Sequence, residues 1–211
     1  MSLTAEEATQ LSQLYAFLGN SLLKPMSQTE TIGLKPEFWA GLPSFGSDSV
    51  SHTLDELFAF AQAVEKRASE GEDVVTEVSV EYTRLFIGPP SPAAPPWETY
   101  YPEHEEREVN CGFGEATFDM RRRLREVGLS VQNENHQYED HMGIELLYLS
   151  VLCKRAASGE STSEDVCAFI EEHPLAWIGR FKDKVAAAAP GGYYQLLLEL
   201  AQATMTWHVR E

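Results

Sequence analysis

The amino-acid sequence predicts an all-α protein, and three observations support this fold class. Apolar residues recur three and four positions apart along most of the chain, as they do on one face of an α-helix. No segment sustains the alternation of apolar and polar residues that is typical of a half-buried strand. Capping motifs and Pro or Gly residues separate the periodic segments. We therefore expect one compact domain of about eight helices over residues 1–211.

The N-terminal helical part, residues 1–88, begins with a well-marked helix. Thr4 and Glu7 form a capping box, and apolar residues follow at helical spacing. Pro25 ends this helix, because proline has no backbone N–H to continue the hydrogen-bond ladder. We expect irregular or short helical structure over residues 25–51, where Pro, Gly and Ser are frequent.

Two more helices are expected before the end of this part. Thr53 and Glu56 form a second capping box, which predicts the start of a helix that Gly71 closes. The segment 74–87 begins with β-branched residues, which leaves a strand open for 74–80. The i, i+4, i+7 spacing of its later apolar residues favours a helix.

A proline-rich loop, residues 88–97, separates the two helical parts. Proline fixes φ near −65° and removes a donor, so this loop can neither continue a helix nor join the middle of a sheet. It ends at Trp97, and Tyr100 and Tyr101 follow. Two interpretations are open: a stiff recognition element that holds these rings in place, or a connection whose tryptophan covers the core.

The C-terminal helical part, residues 98–211, contains the most apolar helix of the chain. Apolar residues occur all around the predicted helix 138–157, so we expect it to be central and buried. Before it we expect a helix over 115–127 that buries Phe118, Leu124 and Val127. The other surface of that helix carries arginines that can pair with acidic groups: Arg121, Arg122, Arg123 and Arg125.

Three further helices are expected after the central one. Ser161 and Glu164 form a capping box for the first, which stops at His173 and Pro174. A second begins at Leu175. The last follows the Pro-Gly-Gly break and covers 193–209.

The composition is that of a folded but strongly acidic protein. Apolar residues make up 43% of the chain, charged residues 23%, and the formal net charge is −17. This charge opposes binding to nucleic acid and favours cationic partners. No run of 18 apolar residues and no secretory leader is present, so we expect a cytoplasmic protein with no membrane insertion. Three widely spaced cysteines indicate neither a disulfide framework nor a thiolate zinc site.

One cluster of titratable residues occurs in the sequence: His136, Asp140, His141 and Glu145. Residues four apart share a helix face. Three interpretations are open. Asp140 can simply complement the helix N-terminus with His141 packed beside it. Asp140 and Glu145 can bind a cationic ligand. The cluster can also bind a metal ion in a small helical hydrolase, although no HxxxH or HExxH pattern supports it.

Motifs of the common enzyme classes are missing. The sequence has no GxxxxGK[ST] phosphate loop, no GxGxxG after a strand and no GxSxG elbow. The acidic run between Glu98 and Glu108 has no evident buried setting that would separate the pKa values of its carboxylates. We therefore predict no catalytic residues, no metal site and no cofactor.

Two motifs together resemble the TorD/DmsD family of twin-arginine redox enzyme maturation chaperones, whose broader relatives include the NarJ group. The first is Tyr82-Thr-Arg-Leu-Phe-Ile-Gly-Pro, followed by Pro95-Pro96-Trp97. The second is Glu139-Asp140-His141-x-Gly143-x-Glu145-Leu146. The likeness covers roughly residues 75–207. Tyr138 replaces the family's usual proline, and Glu98-Thr99 stands where some members have Gly-Ser.

The resemblance implies an all-helical, non-enzymatic chaperone in the cytoplasm. Its implied partners are the twin-arginine signal peptide and the apo-subunit of a molybdopterin oxidoreductase of the DMSO reductase type. The chaperone would hold this subunit until its cofactor is inserted and then permit export. The long interhelical loops leave both a monomer and a domain-swapped homodimer open. Carried over to this sequence, the peptide contacts fall on Tyr82, Leu85, Phe86, Pro96, Trp97, Asp140 and His141.

The chemistry of these residues suits such a peptide, which offers two arginines and then an apolar stretch. Asp140, with Glu145 nearby, can accept guanidinium hydrogen bonds. Trp97 or Tyr100 can stack on an arginine, while Leu85 can line an apolar wall. The sequence therefore predicts a peptide groove between the proline-rich loop and the start of the central helix.

Overall fold

The computed structural model describes residues 3–102, 113–131 and 137–211, and within these ranges the fold is all-α. Eight α-helices of nine residues or more and one short helix, α2, lie in this part of the chain, which has no β-strand. They are α1 (Ala5–Leu23), α2 (Pro36–Ala40), α3 (Asp48–Ser69), α4 (Val74–Tyr82), α5 (Glu115–Glu126), α6 (Met142–Ala157), α7 (Ser163–Glu172), α8 (Pro174–Ala188) and α9 (Tyr193–His208). The predicted fold class is confirmed. None of these helices is long and apolar enough to cross a membrane.

The chain forms two compact units, and each consists of two segments. The first unit comprises Met1–Gly19 and Pro95–Phe181, and the second comprises Asn20–Ala94 and Lys182–Glu211. The boundaries fall inside α1 and α8, and at the end of the proline-rich loop. The single domain expected from the sequence stays a prediction.

In the first unit, α6 is the most deeply buried helix, as predicted. Ten of its sixteen residues are buried, and they lie on all sides of the helix. Gly19 of α1 packs directly on it, since a Cβ at Gly19 would lie 2.7 Å from the Gly143 carbonyl oxygen. The helix begins at Met142 and not at 138 as predicted. Asp140 therefore lies before the helix and does not share its face.

In the second unit, α3 packs on α9 and α2, and aromatic rings fill the core. Tyr82 at the end of α4 makes an edge-to-face contact with Tyr194 of α9, with ring centroids 5.5 Å apart. Phe86 contacts the same tyrosine at 5.3 Å. Trp39 of α2 is 1% exposed, and its indole donates a hydrogen bond to the Gly33 carbonyl at 2.9 Å. This unit is built by apolar burial.

The capping motifs that the sequence predicts are partly confirmed. Thr4 and Glu7 form the expected reciprocal bonds at the start of α1. The Thr53 prediction is wrong: α3 begins at Asp48, after Ser47, whose side chain accepts from the Val50 N–H. Thr53 lies within α3, and its hydroxyl donates to a backbone carbonyl three residues earlier. The capping-box pattern of Thr53 and Glu56 lies inside a longer helix and therefore predicted the wrong start residue.

The cap of α7 is displaced by one residue from its predicted position. Thr162 is the N-cap, and its hydroxyl accepts from the Asp165 N–H while the Asp165 carboxylate accepts from the Thr162 N–H. The predicted Ser161 and Glu164 have the same spacing. Both patterns fit the sequence, and only the backbone path distinguishes them.

The buried face of α5 also differs from the prediction. Phe118 is 56% exposed, whereas Met120 is fully buried beside Leu124. Three of the four arginines of this helix, Arg121, Arg122 and Arg123, pair with carboxylates, as expected. Arg121 holds Glu139 through two hydrogen bonds, and Arg123 bonds to Asp119.

Candidate functional site

The end of the proline-rich loop pairs with the residues that precede α6. Trp97 and His141 form an isolated antiparallel bridge. The Met142 N–H donates to the Pro96 carbonyl, and the Glu98 N–H donates to the Asp140 carbonyl, both at 2.9 Å. This backbone pairing brings together five of the predicted site residues in the first unit: Pro96, Trp97, Asp140, His141 and, one turn later, Glu145.

Asp140 is fully buried, and its carboxylate accepts hydrogen bonds from within the protein. The Thr99 N–H and hydroxyl donate to Oδ2 at 3.1 and 2.6 Å, and the Thr117 hydroxyl donates to Oδ1 at 2.9 Å. Burial raises the pKa of the Asp140 carboxyl, and the bonds from the two threonines oppose that rise. Asp140 therefore connects α5 to the segment that follows Trp97.

His141 is the N-cap residue of α6. Its Nδ1 accepts the Gly143 N–H at 2.9 Å, and burial lowers the pKa of the ring to about 3. The ring is thus neutral and carries its proton on Nε2. Neither this N–H nor the buried indole N–H of Trp97 has an acceptor among the described residues. The two rings lie 5.9 Å apart, nearly perpendicular to each other.

Glu145 lies in a second group of titratable side chains. One oxygen of Glu145, one of Glu98 and a ring nitrogen of His173 lie within 4.8 Å of one another. Glu145 accepts the Trp177 indole N–H at 3.0 Å. Burial, together with the Glu98 carboxylate, raises the pKa of Glu145 well above its ordinary value.

This group differs from the metal-ligand set that the sequence leaves open. Asp140 and His141 are bonded to other partners within the described residues, and His136 lies outside these residues. Glu145 is the member that the two sets share. The predicted set depended on residues 136–145 being one continuous helix, and the late start of α6 removes that premise for 137–141.

A pocket of about 540 Å³ opens beside this group in the first unit. Its walls carry three carboxylates, those of Glu98, Glu115 and Glu172, and the Trp177 ring. Arg180, the cation on its wall, donates to the Tyr101 and Pro102 carbonyls. The guanidinium is thus bonded to backbone oxygens, and the pocket has a net negative charge.

Aromatic side chains lie next to the Trp97 bridge. Trp97 is partly exposed and contacts Tyr100 at a centroid distance of 5.9 Å and Tyr138 at 6.4 Å. Tyr138 is 39% exposed and contacts Phe113, over which the Arg121 guanidinium lies at 5.6 Å. The residue that replaces the family's usual proline is therefore part of this aromatic surface.

The three remaining predicted residues lie in the second unit. Tyr82, Leu85 and Phe86 are each at most 2% exposed, and the tyrosine hydroxyl donates to the Leu22 carbonyl at 3.3 Å. They follow one another through the last turn of α4 and the π-helical turn Thr83–Ile87. Their predicted contact with a peptide stays a prediction.

Several important residues were not singled out from the sequence. Thr99 and Thr117 hold Asp140, while Asp119 and His173 form an acid–imidazole pair at 3.1 Å. Their partners are 23 to 54 residues away in the chain, so no local pattern joins them. Glu98 could have been noticed in the sequence, because Glu98-Thr99 stands where some family members have Gly-Ser.

A family model described as nitrate reductase delta subunit matches residues 47–183 of this chain. The chain belongs to this family. The match covers the second motif, the proline-rich loop and helices α3 to α7 in full. The resemblance to TorD and DmsD chaperones that the sequence predicts is also confirmed by individual relatives.

Three curated relatives show the extent of the likeness. The Tat proofreading chaperone DmsD of Salmonella paratyphi A is 32% identical over 124 residues, which are 59% of this chain and 56% of the relative. The chain thus spans less than two thirds of that relative. The chaperone protein TorD of Shewanella pealeana is 27% identical over 174 residues, covering 81% and 72%. A probable DmsD of Haemophilus influenzae is 28% identical over 134 residues, covering 63% and 61%.

Proposed function

We propose that this protein is a proofreading chaperone that binds the twin-arginine signal peptide of a redox enzyme precursor. One relative is named a Tat proofreading chaperone and another a chaperone protein, and we infer the same class of non-enzymatic activity here. We further propose that the client is the apo form of a molybdopterin oxidoreductase. The chaperone would hold the client in the cytoplasm until its cofactor is inserted and then release it for export.

The observation that supports this function best is the pairing of Trp97 with His141 beside an acidic pocket. A twin-arginine peptide presents guanidinium groups and then apolar side chains. Glu115 on the pocket wall offers an exposed carboxylate, and a carboxylate binds guanidinium through paired, charge-assisted hydrogen bonds. The carboxylates of Glu98 and Glu172 on the same wall add negative charge but are already paired with His173 and Arg123. The aromatic surface formed by Trp97, Tyr100 and Tyr138 offers rings for stacking and apolar contact.

Two kinds of residue act in this proposal. Trp97 and Tyr100 are partly exposed and contact the peptide directly. Pro96, Asp140, His141 and Glu145 are covered by other side chains, so we assign them positioning roles. The Thr99 and Thr117 bonds to Asp140 fix the loop that carries Trp97, and a fixed loop loses less conformational entropy when it binds.

The unpaired donors at the bridge support a peptide ligand in particular. The Trp97 indole and the neutral His141 ring each have an N–H without an acceptor among the described residues. A buried donor without an acceptor costs about 1–3 kcal/mol. A peptide backbone offers carbonyl oxygens, and one of them would accept the N–H of Trp97, whose ring is partly exposed, while His141 is covered and keeps its positioning role.

Tyr82, Leu85 and Phe86 enter the proposal as apolar residues of the second unit. They are buried in the protein as described, so contact with a peptide would require that they become exposed on binding. We therefore propose Phe86→Ser as a separate variant, with peptide affinity compared at equal fractions of folded protein. An unchanged affinity would remove this segment from the proposed site.

The test is calorimetric titration with a peptide that carries two adjacent arginines followed by an apolar stretch. We expect Trp97→Ala to weaken binding about 10- to 30-fold, as for a central aromatic contact. Glu115→Gln should weaken it about 3- to 5-fold, since an exposed carboxylate contributes about 1 kcal/mol or less. The same peptide with both arginines changed to lysine should bind more weakly, because lysine cannot form the paired bonds.

Glu164→Gln provides the matched control for Glu115→Gln. Both glutamates are exposed and lie in the first turn of a helix, α5 and α7 respectively, so each change removes one charge from a first helical turn. Only Glu115 lines the pocket. Equal affinities of the two variants would contradict the role of the pocket, and no binding to wild-type protein would contradict the proposed function itself.

A further inference from the structure

The group formed by Glu98, Glu145 and His173 brings two carboxylates and an imidazole together in the first unit. The His173 ring is stacked on Phe169 and is 6% exposed. Its Nδ1 lies 2.9 Å from Glu98 Oε2, and its Nε2 lies 3.1 Å from Asp119 Oδ2. Both ring nitrogens thus face carboxylate oxygens.

Asp119 determines which ring nitrogen carries the proton. Asp119 accepts hydrogen bonds from the guanidinium groups of Arg122 and Arg123, which hold its carboxyl group in the ionised form. An ionised carboxylate only accepts hydrogen bonds, so His173 donates to it from Nε2. In the neutral ring, Nδ1 then presents its lone pair to Glu98 Oε2.

Glu145 adds a third acceptor without a donor. Its Oε2 accepts the Trp177 indole N–H, while its Oε1 is buried and receives no N–H or O–H of another described side chain or backbone group. The neighbouring Glu98 carboxylate is itself an acceptor, so the two can bond only through a shared proton or a cation. No Lys or Arg is paired with either glutamate among the described ion pairs.

We propose that Glu98, Glu145 and His173 bind a divalent transition-metal ion. One imidazole nitrogen and two carboxylate oxygens are a ligand set suited to zinc, manganese or iron, and the imidazole disfavours magnesium and calcium. The nearest ligand atoms of the three side chains already lie within 4.8 Å of one another. The Asp119 bond to His173 Nε2 is the kind of outer contact that orients a metal-binding imidazole.

The position of the site indicates what the ion would do. Glu98 begins the turn after Trp97, Glu145 lies in the first turn of α6, and His173 lies between α7 and α8. A bound ion would join these three segments. Glu98 and Trp177 also line the 540 Å³ pocket, so a remaining coordination position would be accessible to water or a ligand from that side.

The test uses the full-length protein, freed of any affinity tag and of metal by chelation, and titrated with Zn²⁺ alone. We expect binding of one ion per chain, with release of protons because the ligands bind metal in their deprotonated forms. Titration in two buffers of different ionisation enthalpy measures that release. Co²⁺ should give visible absorption bands with the same stoichiometry, and Mg²⁺ should not compete.

Two variants test the ligand assignment. We expect Glu98→Gln and Glu145→Gln each to weaken Zn²⁺ binding at least 10-fold, because each replaces a carboxylate ligand by a neutral amide of the same shape. Asp119→Asn should weaken Zn²⁺ binding by about 10- to 100-fold, because His173 loses the carboxylate that orients its ring. Circular dichroism establishes whether Glu145→Gln is folded. Glu98 is partly exposed, so Glu98→Gln tests the site even if Glu145→Gln does not fold.

Two controls separate this site from adventitious binding. Glu115→Gln removes a carboxylate from the same pocket but leaves the three ligands intact, so it should retain wild-type affinity. His52→Ala removes an exposed imidazole that lies 3.7 Å from the Glu56 carboxylate, a surface pair outside the proposed site. This change should also leave the Zn²⁺ affinity unchanged. Failure of wild-type protein to bind Zn²⁺ and Mn²⁺, or equal affinity of Glu98→Gln and Glu115→Gln, would overturn the proposal.

Discussion

The two units of this protein differ in what they bury. Of the eight buried polar or charged side chains within the described ranges, six lie in the first unit and two in the second. The first unit buries Thr117, Asp140, His141, Glu145, Ser150 and His173, whereas the second buries Thr204 and His208. In the second unit, edge-to-face rings surround Tyr194.

This difference shows where stability was given up for specific chemistry. A buried polar group destabilises a fold unless it is hydrogen-bonded, and a buried carboxylate more so. Apolar rings incur no such penalty. Both units bury aromatic rings, so the difference lies in the carboxylates buried near Trp97, where the ligand site is proposed.

Acid titration gives the largest effect that can test this contrast. Burial lowers the pKa of His141 to about 3 and that of His208 to about 4, from an ordinary value of 6.5. Both rings are neutral in the folded protein, while the unfolded chain protonates near pH 6.5. Their stabilisation is therefore complete above pH 6.5 and is lost as pH falls toward 3 and 4. The losses are about 5 and 3 kcal/mol.

Urea unfolding of wild type and of His208→Gln, followed from pH 7.5 to pH 4.5, measures the contribution of the second unit. The variant lacks this titration, so its deficit in unfolding free energy relative to wild type should shrink as the pH falls. Amide hydrogen exchange in α6 and α9 then reports each unit separately. Parallel free-energy curves would contradict a buried neutral His208.

Two tryptophans offer a matched comparison of intermediate size. Trp39 in the second unit and Trp177 in the first are each 1% exposed, but the first donates to the Gly33 carbonyl and the second to the Glu145 carboxyl. Changing either to Phe leaves a buried acceptor without its donor and should destabilise the protein by about 1–3 kcal/mol.

The pH dependence of this destabilisation should differ between the two tryptophans. The Trp177 bond lowers the pKa of Glu145, a carboxyl whose pKa burial raises. Without the bond the folded protein holds that proton to still higher pH, while the unfolded chain releases it near pH 4.5. The cost of Trp177→Phe should thus increase as the pH rises through the raised folded-state pKa of Glu145, whereas that of Trp39→Phe should not. Chemical unfolding of both variants over a series of pH values upward from pH 4.5 checks this, and equal changes for the two variants would contradict the predicted difference.

Two glycines give the smallest expected difference. A Cβ at Gly19 would meet the Gly143 carbonyl at 2.7 Å and a Cβ at Gly192 would meet the Glu81 carboxylate at 2.6 Å. Backbone cannot move aside as a side chain can. We expect Gly19→Ala to destabilise by about 2–3 kcal/mol through overpacking.

Gly192→Ala should cost about 1 kcal/mol or less, because it requires only that the Glu81 carboxylate shift and weaken its bond from the Tyr194 N–H. Gly192 has φ −75°, which alanine adopts readily. Thermal unfolding monitored by circular dichroism measures both variants. A larger loss for Gly192→Ala would show that the second unit is the more rigidly packed of the two.

Much of the fold could be predicted from local sequence. The Thr4 and Glu7 capping box, the breaks at Pro25 and Gly71 and the deep burial of α6 were all evident, because capping, chain breaking and amphipathic spacing involve residues within a few positions of each other. Errors arose where two patterns competed. Thr53 and Ser161 fit the capping pattern as well as the actual start sites did, and Phe118 fit the apolar spacing of α5.

The candidate site was predictable only in part. The Asp140-His141 motif and Trp97 were identified, and the structure pairs their backbones. The sequence predicts that these side chains contact a ligand directly. In the structure, however, both carboxylate oxygens of Asp140 already accept hydrogen bonds from Thr99 and Thr117. The sequence did not reveal that Glu145 faces Glu98 and His173, because these residues are 28 to 75 positions apart in the chain.

By itself the sequence determined that this chain is helical, strongly acidic and a member of a chaperone family, since periodicity, charge and motifs are local properties of the chain. Only the tertiary structure decided which carboxylates are buried together and which rings remain exposed beside them. Hydrogen-bond partners and the loss of water depend on segments distant in the chain, and these set the pKa and the ligand preference of each group. The first unit's acidic core is therefore a property of the fold.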